Sequence, residues 1–243
     1  MPSKAWVIVA PRLRIARILV GETLLSFTEK VKGVLLPYPL ELEPVLQRFV
    51  RGSIEWEEFL REVKEKDLLH TRSWLWIEEP LIKRLRLLRD LGIKLEVECY
   101  GLKVRVLTNL ASELLRLTLR ARLKGRVELE RWRDILSRGV QVVLKDYYVT
   151  ISSLEPRGVE GRVLNVWRYP LPPSEELSLS NLSEESVMRY VSYIFDYVMT
   201  SINVDEAYLK WLEGLGLVDL ASRLRSLLSA SGMMSRSLGS RTA

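Results

Sequence analysis

Two short apolar runs, each ended by proline, limit the fold of this chain more than any other feature of its sequence. Trp6–Pro11 and Gly33–Pro39 contain no charged side chain, and both are too short for typical helices. We interpret them as strands that are buried on both faces. Between them, Arg14–Lys30 carries apolar residues at loosely helical spacing. Strands that alternate with helices predict parallel pairing and a layered α/β architecture.

The same alternation continues along the chain. Glu79–Leu91 is amphipathic with a helical period, and Lys94–Tyr100 alternates polar and apolar residues as a strand with one covered face does. Val140–Ile151 and Val163–Tyr169 predict two further strands. We therefore predict an α/β fold with a mostly parallel sheet flanked by helices, a C-terminal helical cap and a disordered tail.

A polar connector rich in Ser and Glu divides the chain. We predict an α/β domain over residues 1–170, the connector over 171–182 and a helical C-terminal segment over 183–229. Residues 230–243 contain Ser, Gly and Arg with few apolar residues, a composition that predicts a disordered tail.

The positive charge is concentrated in one segment. Residues 103–138 hold ten Lys and Arg against four Asp and Glu, a difference that equals the formal excess of +6 for the whole chain. The candidate residues for binding a polyanion are Arg116, Arg120, Lys124 and Arg126. The first three recur every four residues and so share one face of a helix, where guanidinium groups suit phosphate.

An apolar stripe predicts that this helix packs on a core with its other face. The stripe consists of Leu110, Leu114, Leu117 and Ala121. A second interpretation of the basic face stays open, in which the charges form a solvated ion-pair network. The acidic partners in that network would be Glu113, Glu128, Glu130 and Asp134.

Three tyrosines share one face of a predicted C-terminal helix. Tyr190, Tyr193 and Tyr197 are candidate residues for an exposed aromatic interface with a protein partner or a second copy of the chain. A helix that covers the sheet would bury the same stripe, so both placements are open.

Several kinds of chemistry are disfavoured by what the sequence lacks. A single cysteine and a single histidine, Cys99 and His70, argue against a disulfide scaffold and against sites that need two imidazoles. No glycine-rich phosphate loop, nucleophile elbow or paired-histidine metal motif occurs. We expect no catalytic residue, metal or cofactor, no membrane insertion, and a cytoplasmic location. Many Arg residues and few Asn and Gln indicate a thermophile.

Residues 1–100 resemble the superfamily of TraB, ChaN and erythromycin-esterase-like proteins. The matching stretches are Val7-Ile-Val-Ala-Pro-Arg-Leu13, Gly33-Val-Leu-Leu-Pro-Tyr-Pro39 and Leu87-Leu-Arg-Asp-Leu-Gly-Ile-Lys-Leu-Glu-Val-Glu-Cys-Tyr100. In that superfamily the first strand leads into a histidine and the later strands end in acidic residues. Arg12 stands at the histidine position, Pro37 at the first acidic position, and Cys99 or Glu98 at the second.

A second alignment of the same resemblance uses Val20-Gly21-Glu22-Thr23, with Leu24 at the histidine position. In both alignments the imidazole is lost, which implies a scaffold that has dropped its chemistry. Our first hypothesis is therefore a non-catalytic interaction or assembly protein. The alternatives are a nucleic-acid-binding protein that uses residues 103–138, and a hydrolase of the resembled type that uses Glu22, Glu98 or His70.

Overall fold

A computed structural model describes residues 5–27, 30–68, 72–153 and 161–238. Its centre is a five-stranded sheet in the order β3-β2-β4-β1-β5, with every neighbouring pair parallel. The strands are β1 (Trp6–Val9), β2 (Gly33–Pro39), β3 (Glu96–Gly101), β4 (Tyr148–Ser152) and β5 (Arg162–Asn165). This arrangement confirms the predicted α/β class with a parallel sheet flanked by helices.

Ten α-helices occur among the described residues. They are α1 (Arg14–Leu24), α2 (Glu43–Arg51), α3 (Trp56–Glu65), α4 (Arg72–Asp90), α5 (Val104–Lys124), α6 (Leu129–Ser137), α7 (Pro173–Glu176), α8 (Glu184–Ser192), α9 (Val204–Gly214) and α10 (Val218–Leu238). Helix α8 continues directly into a π-helical stretch, Tyr193–Val198. None of the helices in the described ranges is both long and apolar enough to cross a membrane.

The last two strands are shorter than the sequence pattern predicts. Pairing of β4 with its neighbours begins only at Tyr148, because Tyr147 takes a left-handed backbone conformation (φ 65°) that breaks the extended run. Strand β5 ends at Asn165, whose side chain accepts a hydrogen bond from the backbone N–H of Trp167 and so turns the chain.

The core is divided into two clusters. The main cluster lies on the sheet and includes residues of α9 and α10, whereas the smaller one joins α5, α6 and α8. The helical segment predicted over 183–229 is thus shared between the two clusters. Helix α10 continues through Leu238, past the predicted start of the tail at residue 230, and residues 239–243 lie outside the described part of the chain.

Candidate functional site

Helix α5 carries the basic segment and packs on the smaller core with a narrow face. Leu117, Thr118 and Ala121 are buried, and Leu110 and Leu114 are half-buried. These positions confirm the predicted inner stripe. The helix ends at Gly125, whose left-handed conformation (φ 61°) suits a residue without a Cβ atom.

The basic candidate residues lie on the surface. Arg116, Arg120, Lys124 and Arg126 are all exposed, and the described residues place no carboxylate within 4 Å of them. The acidic residues of the segment are paired with other arginines: Glu113 and Asp134 with Arg138, Glu128 with Arg131, and Glu130 with Arg133. The hydrogen bond from Arg138 lowers the pKa of Glu113, and the charge of Arg116 adds a smaller effect.

A shallow groove of about 230 Å³ separates α5 from α6. Arg116, Arg120 and Arg131 line it together with Glu113 and Asp134. The structure thus brings two of the predicted basic residues together without an ion pair of their own. The four acidic residues named for the alternative do pair with arginines of the segment, but with Arg131, Arg133 and Arg138.

The face of α5 opposite its packed side is apolar, a feature not predicted from the sequence. Leu115, Leu119 and Leu123 recur every four residues and are 52%, 40% and 83% exposed. Their spacing places them in one row beside Arg116, Arg120 and Lys124. The sequence does contain a signal for this row, because the helix has more leucines than its core-facing stripe uses. The inner stripe leaves these three residues without a place on the core side. We call this row and its basic neighbours the outward face of α5.

The tyrosine interface differs from the expectation of an exposed patch. Tyr190 and Tyr193 are buried and Tyr197 is half-buried. The physical reason is that α8 and its π-helical continuation lie between the two core clusters. Tyr190 packs edge-on against Trp132 with 5.7 Å between ring centroids, and Tyr193 packs against Trp211 at 6.1 Å.

A second polar group lies inside the protein. The Arg17 side chain of α1 is fully buried, and its Nε donates to Oε2 of Glu78 at 2.7 Å. The hydroxyl of Tyr38, near the end of β2, donates to the same carboxylate oxygen at 2.8 Å. Burial by itself would lower the pKa of Arg17, but the charge and hydrogen bond of Glu78, together with Tyr38 and Glu175, outweigh it and raise the pKa. We call these three residues the buried arginine cluster.

The carboxyl ends of the strands bring more polar residues near this cluster. Arg12 follows β1, Tyr100 lies near the end of β3, and Ser152 ends β4. Burial raises the pKa of Tyr100 to about 12, while Arg12, Arg17 and a hydrogen bond with Ser152 act in the opposite direction. Glu175 of α7 accepts a hydrogen bond from the backbone N–H of Arg12 at 3.3 Å.

The two glutamates considered for hydrolysis lie on different elements, and each is already paired with a basic side chain. Glu22 pairs with Arg84, whereas Glu98 pairs with Lys145 and accepts from Tyr148 at 3.0 Å. Burial raises the pKa of the Cys99 thiol well above its ordinary value, which disfavours the nucleophilic thiolate.

His70 lies outside the described residues. Within the described ranges, no three His, Cys, Asp or Glu side chains are grouped as a metal site requires.

Comparison with known proteins gives no relative, since no family model, curated protein or solved structure matches the chain. The resemblance of residues 1–100 therefore stays a prediction. Its expected positions Arg12, Pro37 and Cys99 lie at or near the carboxyl ends of β1, β2 and β3.

Proposed function

We propose that this protein is a non-catalytic interaction protein that binds an acidic, amphipathic helical segment of a partner on the outward face of α5. The observation that carries the proposal is the exposed row Leu115, Leu119 and Leu123 on a helix whose opposite side is already packed. Exposed apolar residues are ordinary when scattered, whereas a continuous row with a charged border is typical of an interaction site.

The leucine row sets the scale of the binding energy. Complete burial of a leucine contributes about 1.5–3 kcal/mol, and these side chains are partly covered already. Their burial contributes roughly 3 kcal/mol in total on that scale, which is too little for a stable complex. Further contacts must supply the rest.

The basic border supplies such contacts and indicates the sign of the partner's charge. Arg116, Arg120 and Lys124 lie along one side of the row without ion-pair partners among the described residues. Carboxylates on a partner helix would pair with them, set the register of the complex and accelerate association at low salt.

The test uses a variant of the leucine row and a control with equal loss of apolar surface. The variant is Leu115→Ser/Leu119→Ser/Leu123→Ser, and the control replaces the exposed Leu91, Leu179 and Leu227 with Ser. A partner purified with the wild-type protein should bind the control with unchanged affinity and the variant at least tenfold more weakly. Equal binding by both variants would refute the proposal. A partner that proves to be a second copy of this chain would show self-association instead.

Nucleic-acid binding is the second candidate function, favoured by the unpaired row Arg116, Arg120 and Lys124 in the segment that holds the whole charge excess. Each phosphate contact contributes about −0.9 to the slope of log affinity against log salt concentration. Replacing the three residues with Ala should reduce the slope for duplex DNA, measured by fluorescence anisotropy, by about 3.

A charge-matched control makes the nucleic-acid test specific. Arg51→Ala/Lys64→Ala/Lys94→Ala removes the same charge from exposed positions elsewhere. Equal loss of affinity in both triple variants would indicate a general effect of net charge and contradict this candidate.

We also infer that the protein works in the cytoplasm of a thermophile, on its arginine-rich, amide-poor composition and single cysteine. The twenty ion pairs among the described residues fit that inference. Calorimetry should give a thermal midpoint above about 90 °C, and a midpoint within the mesophilic range of about 45–65 °C would contradict it.

A further inference from the structure

The terminal nitrogens of Arg17 are two of the three buried side-chain polar atoms without a hydrogen-bond partner among the described residues, the third being Oγ of Ser201. Nη1 and Nη2 are buried without a hydrogen-bond acceptor among the described residues, although Nε is bound to Glu78. A buried guanidinium is usually held by acceptors on all its nitrogens, because each lost hydrogen bond to water must be replaced. The two terminal nitrogens of Arg17 can therefore still donate hydrogen bonds to an acceptor that is not part of the described chain.

Arg17 lies near the carboxyl edge of the sheet, the edge at which open parallel sheets usually bind ligands. Tyr38, Tyr100 and Ser152 near it stand at the carboxyl ends of three neighbouring strands, and Arg12 follows a fourth. In α/β folds the loops at these ends surround the usual ligand-binding crevice. Arg12 is exposed and Tyr100 is half-buried, and the charges of Arg12 and Arg17 both act on the Tyr100 hydroxyl.

We propose that the carboxyl edge of the sheet is a binding site for a small oxyanion, the phosphate or carboxylate group of a ligand, which the terminal nitrogens of Arg17 hold in a fork. A planar guanidinium with both terminal nitrogens free can donate two parallel N–H bonds to two oxygens of one such group. Arg12 adds a second positive charge near Tyr100, whose hydroxyl already donates to the carbonyl oxygen of Ile151 at 2.5 Å. This site is separate from the outward face of α5.

Glu175 acts against the same ligand. Its carboxylate accepts from the backbone N–H of Arg12 and is among the charges that raise the pKa of Arg17. Helix α7 thus holds a negative charge beside the guanidinium, where an entering anion would meet repulsion. Loss of that charge should strengthen anion binding, whereas loss of Arg12 should weaken it.

The test is calorimetric titration of the full chain with inorganic phosphate and, separately, with acetate, against sodium chloride at equal ionic strength. We expect one equivalent of phosphate or acetate to bind and to raise the thermal midpoint, with no such effect from chloride. Glu175→Gln should tighten binding several-fold, and Arg12→Ala should weaken it about tenfold, the loss expected of a charge-assisted contact.

Two further variants separate this site from the other features of the protein. Arg17→Lys keeps the charge beside Glu78 but removes the fork, so it should abolish stoichiometric binding if circular dichroism shows it folded. Arg116→Ala/Arg120→Ala/Lys124→Ala should bind phosphate as the wild type does. If phosphate and chloride act alike, or if Glu175→Gln and Arg12→Ala leave the affinity unchanged, the nitrogens of Arg17 hold water and the proposal is wrong.

Discussion

Polar groups are usually exposed and apolar groups buried, and two regions of this protein depart from that distribution in opposite directions. They are the body, meaning the sheet with the helices of the main core cluster, and helix α5. The body buries Arg17, Glu78 and Asp205 at 2% exposure or less, whereas α5 exposes a row of leucines of which Leu123 is 83% exposed. Charged groups inside a protein need partners, and the body supplies most of them from helices that are distant in sequence. Apolar groups outside need no partner for folding. The buried charges therefore affect the stability of the fold, whereas the exposed leucines affect association with a partner.

Helix α1 shows how far apart the partners in the body are along the chain. The carboxylate of Asp205, at the start of α9, accepts hydrogen bonds from the backbone N–H groups of Arg14 and Ile15 at 2.9 and 3.1 Å. It replaces a local N-cap, since Leu13 has no side-chain acceptor. The C-terminal helices thus complete a helix that begins 190 residues earlier.

The largest expected effect comes from breaking the buried pair. Glu78→Leu leaves the Arg17 guanidinium buried without its counter-charge, which should lower the free energy of unfolding by about 3–5 kcal/mol. Urea denaturation followed by circular dichroism measures this change. A loss below about 1 kcal/mol, the range of an exposed pair, would show that water reaches Arg17 freely.

The two faces of α5 should respond differently to the same substitution. Leu117→Ala on the packed face should cost about 2–5 kcal/mol through loss of buried apolar contacts. Leu119→Ala on the outward face should stay within about 0.5 kcal/mol. Thermal denaturation of both variants gives the comparison, and similar losses at the two positions would mean that the outward leucines pack within the folded chain.

Loss of the cap that α9 supplies to α1 should have an intermediate effect that depends on pH. Asp205→Ala leaves two N–H groups without acceptors and should cost roughly 1–3 kcal/mol. Asp205→Asn keeps one oxygen acceptor and should cost less.

Burial raises the pKa of Asp205, although its two backbone hydrogen bonds oppose that shift. A folded-state pKa above the unfolded value favours folding at low pH, and this contribution is lost as pH rises through the folded pKa. The wild type should therefore lose stability relative to Asp205→Asn as pH rises above about 3.9, the ordinary aspartate value. Denaturation curves of both proteins across this range check the sign, and an opposite trend would place the pKa below its ordinary value.

The smallest effect is expected at an exposed ion pair. Glu22 pairs with Arg84 at the surface of α1, and solvent weakens such pairs. Glu22→Gln should change the free energy of unfolding by no more than about 1 kcal/mol. A loss comparable to that of Glu78→Leu would contradict the distinction between buried and exposed charges on which the comparison rests.

Local sequence patterns predict the helices and strands, whereas contacts between residues that are distant in sequence determine which side chains form the buried polar group. The periodicity of Leu117 and Ala121 and the apolar run of β2 are local signals, and both predictions hold. The sequence predicts a helix that starts at Glu79, because Pro80 suits the first turn of a helix. This start is wrong: the helix begins at Arg72 and buries Trp74 and Ile77 on the core.

The buried groups could not be predicted in the same way. Arg17 follows Arg12 and Arg14 in an arginine-rich stretch, and nothing local marks it as buried. Its partner Glu78 lies 61 residues away. Tyr190 and Tyr193 are buried because two cores meet at α8, which periodicity along one helix does not reveal.

Site-specific photo-crosslinking tests the central claim about the outward face most directly. A photo-reactive residue at Leu119 is compared in the host cell with one at Leu91, an equally apolar position that is 64% exposed on another part of the surface. The account predicts a crosslink from Leu119, and none from Leu91, to an acidic amphipathic helical segment of a protein. Equal products at the two positions, or a product at Leu119 that consists of nucleic acid, would contradict it.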